Sequence, residues 1–205
     1  MFLLPSAACL LRPACRSIFL EGKQESTKDA SPLSSPHPPD YLRPVTLYFL
    51  RHATAAREAP TDAERPLTKE GRHEARIAGK ALHRLGVRPN FLWSSPLLRA
   101  RQTAEIAAEA FTHPPAVEIK AELANDTPTS MLLALLKPLP PDCEIILVGH
   151  MPSLSEHLAA LLGATSPENF PLDKGGVAAL RLDAIQLGKA ALRFRLRNEQ
   201  LEKIA

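Results

Sequence analysis

The chain has 205 residues, 45% of them hydrophobic, which is enough for one domain with a substantial core and a modest extension. Its 25 basic and 22 acidic residues are interspersed, and a net charge of +3 with no Lys/Arg block gives no footprint for nucleic acid. Cys9, Cys15 and Cys143 are an odd number at spacings that fit neither a zinc site nor a disulfide framework, so no metal or cofactor is expected.

Residues 1–44 are rich in Pro, Ser and Ala, with the run Ser31-Pro32-Leu33-Ser34-Ser35-Pro36-His37-Pro38-Pro39. They lack periodic apolar residues, so an N-terminal extension without regular structure is expected, followed by a domain over 45–205. Met1–Leu20 is more apolar. No Lys or Arg precedes that run, and Pro5 and Arg12 interrupt it. It fits neither a secretory signal nor a membrane span, and a cytoplasmic protein without membrane association is expected.

Strand-like and helix-like segments then alternate. Val45–Leu50 is a short run of β-formers suited to a buried strand. Thr68 through Leu85 predicts a helix, with Thr68 as cap, Ala75, Ala78, Leu82 and Leu85 at helical spacing, and Gly86 as terminator. Phe91–Trp93 predicts a second strand, Pro96 to Phe111 a second helix, and Val117–Ile119 a third strand. Thr127-Pro128 starts a short helix to Leu136. Glu144–Val148 is the most apolar strand, and a helix follows from Ser153 to Leu162, bounded by Pro152 and Gly163. Val177–Leu182 and Ala191–Leu196 read as a hairpin. In its second arm Leu192, Phe194 and Leu196 alternate with Arg193, Arg195 and Arg197, predicting one buried and one wet face. The pattern predicts a three-layer α/β/α sandwich with a mainly parallel sheet and a C-terminal antiparallel hairpin.

Four side chains stand at the predicted strand exits: Arg51 and His52 after the first strand, Arg99 after the second, and His150 after Val148-Gly149. Ligands of open α/β sheets bind at that edge. Two guanidiniums and two imidazoles there suit a phosphoryl group. A histidine attacks phosphorus only when neutral. A neighbouring guanidinium disfavours the imidazolium and also holds phosphoryl oxygens, so Arg51-His52 supplies both needs in consecutive residues. Arg99, near a helix N-terminus, is placed to stabilise the equatorial oxygens, and His150 to donate a further hydrogen bond. Taken singly, Arg51-His52 is a common dipeptide, His150 reads equally as a satisfied strand-end residue, and Arg99 as a solvated arginine beside Arg101.

Leu50-Arg51-His52-Ala53 resembles the signature of the histidine phosphatase superfamily, with Ala53 where Gly is commoner. Ser94-Ser95-Pro96-Leu97-Leu98-Arg99-Ala100-Arg101-Gln102-Thr103-Ala104 is similar to its second motif. Arg65-Pro66-Leu67-Thr68-Lys69-Glu70-Gly71 is similar to the segment opening its first helix, and Gly149-His150-Met151-Pro152 to its second-histidine motif. The resemblance runs from Val45 to Leu196 and is strongest to the SixA-type phosphohistidine phosphatases. It implies a phosphoglycerate-mutase-like fold, His52 as nucleophile, and Arg51, Arg99 and His150 as the phosphate pocket.

Many relatives use a carboxylic acid to protonate an alkoxide leaving group. Glu122 is the candidate here, with Asp126 beside it and Asp62 and Glu64 weaker still; none stands in a recognisable motif, and an ordinary solvated carboxylate is the simpler reading. Without an acid, phosphoramidates are favoured over phosphate esters, because the imidazole of phosphohistidine leaves readily once protonated. Only 41 residues separate His52 from Ser94 and 50 separate Arg99 from His150, leaving little room for a lid. The resulting expectation is a phosphohistidine phosphatase acting in signal transduction on a phosphotransfer domain or carrier protein, as a monomer. The competing readings are a small-molecule phosphomonoesterase of the same superfamily and a non-catalytic phosphate-binding module.

Overall fold

The computed structural model describes residues 44–205. The expected N-terminal extension, with Cys9 and Cys15, lies outside the described residues apart from Pro44. Six strands form one sheet in the order β3-β2-β4-β1-β5-β6. They are β1 (Val45–Arg51), β2 (Phe91–Ser94), β3 (Val117–Ile119), β4 (Glu144–Gly149), β5 (Val177–Leu182) and β6 (Ala190–Leu196). The first four run parallel to one another, while β5 is antiparallel to β1 and to β6. The mainly parallel sheet with a terminal hairpin is therefore as the pattern predicts.

Alternation along the central strands produces the three layers. Tyr48, Leu50, Ile146 and Val148 face one core, which α1 (Lys69–Arg84), α2 (Leu98–Ala108) and α5 (Asn198–Glu202) cover through Ile77, Leu82, Ala100, Ala104 and Leu201. Leu47, Phe49, Ile145 and Leu147 face the other, covered by α3 (Thr129–Leu136) and α4 (Ser153–Leu162) through Leu132, Leu136, Leu154 and Leu158. Cys143 is buried in this second core.

Local signals account for most boundaries. Thr68 caps α1, accepting from the Gly71 N–H at 3.0 Å, and Gly86 after its end has φ of +85°. Gly163 closes α4 in the left-handed region at φ +73°. Two expectations are corrected. α3 starts at Thr129 with Pro128, not Thr127, at its cap position, and the Thr129 hydroxyl instead meets His157 Nδ1 at 2.9 Å. The alternation in β6 also breaks. Phe194 pairs with Ala179 but Leu192 pairs with Leu180, so a bulge at Arg193 turns Leu192 to the opposite face, where it is 44% exposed. Helix α5, five residues long, is too short to leave a periodic signal.

Candidate active site

Strands β2, β4 and β1 are adjacent and parallel, and Arg51 is level with Gly149 as Ser94 is with Val148. This register brings Arg51, His52, His150 and the start of α2 to one edge of the sheet. The His52 N–H donates to Gly149 O at 3.0 Å, and the His52 and His150 rings lie 4.9 Å apart between centroids, inclined at 50°.

His52 Nδ1 stands 2.8 Å from its neighbour's carbonyl, Ala53 O. A carbonyl only accepts, so the ring proton sits on Nδ1 and Nε2 keeps its lone pair. The imidazole is held down at a pKa of about 4. Burial is the largest cause; the hydrogen bond to Ala53 opposes it, and Arg99, then Arg51, then Lys174 add to it. Arg51 next door thus contributes less than the sequence argument assigned to it.

Each partner is fixed by named contacts. Arg51 donates through Nη1 to Leu172 O at 2.7 Å, while its buried Nε has no partner. Burial lowers its pKa, with Asp173 opposing. Arg99 is 5% exposed, unlike its exposed neighbour Arg101, which removes the solvated-arginine reading. Its Nη1 and Nη2 donate to Asp62 O at 2.7 Å and Asp62 Oδ2 at 3.0 Å. His150 is 1% exposed, with Nε2 2.7 Å from Ser95 Oγ. Burial, then His52 and Arg99, push its pKa to about 3.

Helix α2 organises the site along one face. Arg99 turns to the sheet edge, the Gln102 side chain accepts the Leu67 N–H at 2.8 Å, and Thr103 Oγ1 accepts the Ala53 N–H at 3.1 Å. The same hydroxyl donates to Arg99 O at 2.6 Å. Helix α1 clamps the next residue, since Glu74 accepts from both the N–H and the hydroxyl of Thr54, at 2.7 and 2.9 Å. Gly71 is needed there, because a Cβ would stand 2.0 Å from Thr54 O.

The carboxylates differ in placement. Glu122, the candidate acid, lines a cavity of about 350 Å³ with Met131, Ala134, Leu135 and Pro138, against α3, and none of Arg51, His52, Arg99 and His150 lines it. Asp126 has a left-handed backbone, φ 63°, and its N–H donates to Ser153 Oγ at 2.9 Å. Asp62, the weaker candidate, is the carboxylate that reaches Arg99. Hydrogen bonds from Arg65 and then Arg99 hold it ionised. The sequence alone assigns no role in the site to Lys174, Ser95 or Thr103. Ser95 and Thr103 lie inside the second motif, and Gly175-Gly176 after Lys174 signals a close backbone approach, realised as Arg51 N–H to Gly176 O at 3.1 Å. Among the described residues no cluster of His, Cys, Asp or Glu side chains is arranged to hold a metal, and no helix is long and apolar enough to cross a membrane.

A sequence profile described as histidine phosphatase superfamily (branch 1) matches residues 47–125. An uncharacterised protein of Picosynechococcus sp. is 37% identical over 149 residues, spanning 70% of this chain and 88% of the relative. The phosphohistidine phosphatase SixA of Escherichia coli is 28% identical over 141 residues, 68% of this chain and 86% of the relative. The solved structure of the protein histidine phosphatase SixA complexed with tungstate superposes with a TM-score of 0.69 at 25% identity, covering 76% of this chain and 99% of that one.

Proposed function

Because the chain belongs to the histidine phosphatase superfamily, in its SixA type, we propose that it hydrolyses a phosphohistidine carried on another protein, through a phosphoryl group held covalently on His52. Membership carries the phosphatase activity. The observation that carries the route is the 2.8 Å contact from His52 Nδ1 to Ala53 O, which leaves Nε2 as the free nucleophile.

In the first step a bond forms from Nε2 to phosphorus while the substrate's P–N bond breaks, its electron pair leaving with the substrate imidazole. In this reading Arg51, Arg99 and His150 hold the equatorial oxygens as these gain charge. Water then attacks the phosphohistidine, releasing inorganic phosphate and restoring His52. Tungstate, a tetrahedral oxyanion like phosphate, is the ligand of the SixA structure this chain superposes on.

Two observations favour a phosphoramidate over an ester. Asp62, beside Arg99, is held ionised and is poorly suited to giving up a proton, and Glu122 packs against α3. An alkoxide would lack its donor, whereas an imidazole leaving group carries a second nitrogen that water protonates. A cytoplasmic setting and a part in signal transduction belong to the same reading.

Rapid-quench mixing with a phosphohistidine-bearing carrier protein tests it. Acid-labile phosphate on His52, absent in His52→Ala, is expected. Preference for a phosphate ester that is lost in Glu122→Gln would replace it with the phosphomonoesterase reading. Tight phosphate binding without turnover would replace it with a binding module.

A further inference from the structure

Ser95 is fully buried at the end of β2, and its hydroxyl meets Nε2 of His150 at 2.7 Å. The Leu97 N–H approaches the same oxygen at 3.4 Å, a long contact in which Ser95 accepts. A serine hydroxyl has one hydrogen and two lone pairs. With Leu97 directed at a lone pair, the hydrogen remains for the histidine nitrogen.

His150 is neutral at physiological pH, so its ring carries one proton, on one of two nitrogens. If the proton were on Nε2, it would point at Ser95, and the serine hydrogen would need another acceptor inside a fully buried site. Nδ1 would then be a buried lone pair. If Ser95 donates to Nε2, the ring proton is on Nδ1, and one group is left over: a buried N–H without a protein partner, on a ring 4.9 Å from that of His52. A buried donor left unpaired is costly. A phosphoryl oxygen bound beside His52 satisfies it.

We propose that Ser95 is a positioning residue whose hydroxyl donates to His150 Nε2, fixing Nδ1–H as the donor offered to the phosphoryl group. The choice of ligand rests on the phosphatase reading above; the choice of tautomer rests on the buried hydrogen bond.

Long-range ¹H–¹⁵N correlation on the uniformly labelled full chain tests it, in the wild type and in Ser95→Ala, with and without inorganic phosphate. The wild type is expected to show His150 protonated on Nδ1, with that signal moving on addition of phosphate. Ser95→Ala is expected to mix the tautomers and to lower kcat/KM about tenfold, with a lowered unfolding midpoint but a fold that persists; Ser95→Thr, which keeps the hydroxyl, restores the wild-type tautomer. A wild-type proton on Nε2, or an unaltered Nδ1–H in Ser95→Ala, would overturn the proposal. Phosphate that moves His52 but not His150 would overturn the donor role and leave the phosphatase reading standing. Phosphate that moves neither ring would overturn both.

Discussion

His52 is half-buried, and the desolvation of its ring keeps it neutral and sets its acid limit. Free histidine titrates near 6.5, whereas His52 does so at about 4. As pH falls from 7 to 5 the nucleophile stays unprotonated, so kcat/KM is expected to hold level and then to fall around pH 4. A pH–rate profile corrected for spontaneous hydrolysis checks this, and an acid limb centred near 6.5 would contradict it. Arg99 permits a second prediction. Its partner Asp62 has a side chain 63% exposed, so Arg99→Ala leaves no buried carboxylate behind. The variant is expected to fold, and to lose about 10²–10³ in kcat/KM as one oxyanion donor is removed. Arg99→Lys is not expected to restore it, because a single ammonium does not reproduce the guanidinium fork. Equal kcat/KM in wild type and Arg99→Ala would take Arg99 out of the pocket.

Helices α1 and α2 approach so closely that a glycine is required between them. A Cβ on Gly79 would stand 2.4 Å from Ala107 O, a backbone atom that cannot swing aside. Glycine inside a helix ordinarily costs about 1 kcal/mol against alanine, yet here alanine is expected to be the worse residue. Gly79→Ala should destabilise the fold by about 1–3 kcal/mol through overpacking, read as a lower urea midpoint at constant m-value. Gly71→Ala acts on function instead. It drives against Thr54 O, two residues past His52, so activity is expected to fall further than stability. Activity and midpoint falling in proportion would show that Gly71 serves packing alone. The boundaries of α1 and α4 are readable because Thr68, Gly86 and Gly163 are local signals. The Arg193 bulge was not, since it depends on how β6 registers against β5.

For the molecule as a whole, the buried His150 and His157 and the half-buried His52 couple stability to acid. His52 and His157 are held at about 4 and His150 at about 3, all below the ordinary value of 6.5. Between pH 6.5 and 4 the unfolded chain therefore binds more protons than the native one, so stability declines as pH drops through that window. Tyr48 acts at the other end. Burial, aided by Glu144, raises its pKa above the ordinary 10, so above that pH the unfolded chain loses a proton the native one keeps, and stability falls again. Urea titrations from pH 4 to 11 should show a plateau with losses on both sides, and a flat acid side would mean these imidazoles are hydrated.

Apolar periodicity, capping residues and four short motifs were sufficient by themselves for the α/β alternation, the parallel sheet with its terminal hairpin, and the grouping of Arg51, His52, Arg99 and His150. Those features are local in sequence, or follow from the rule that parallel strands end at one edge. Tertiary structure alone decided what each group touches. Asp62 meets Arg99 across 37 residues and Ser95 meets His150 across 55, while Glu122 turns to α3. Burial likewise exists only once the layers have closed. It is burial, more than the adjacent arginine, that holds His52 neutral, and no run of letters displays it.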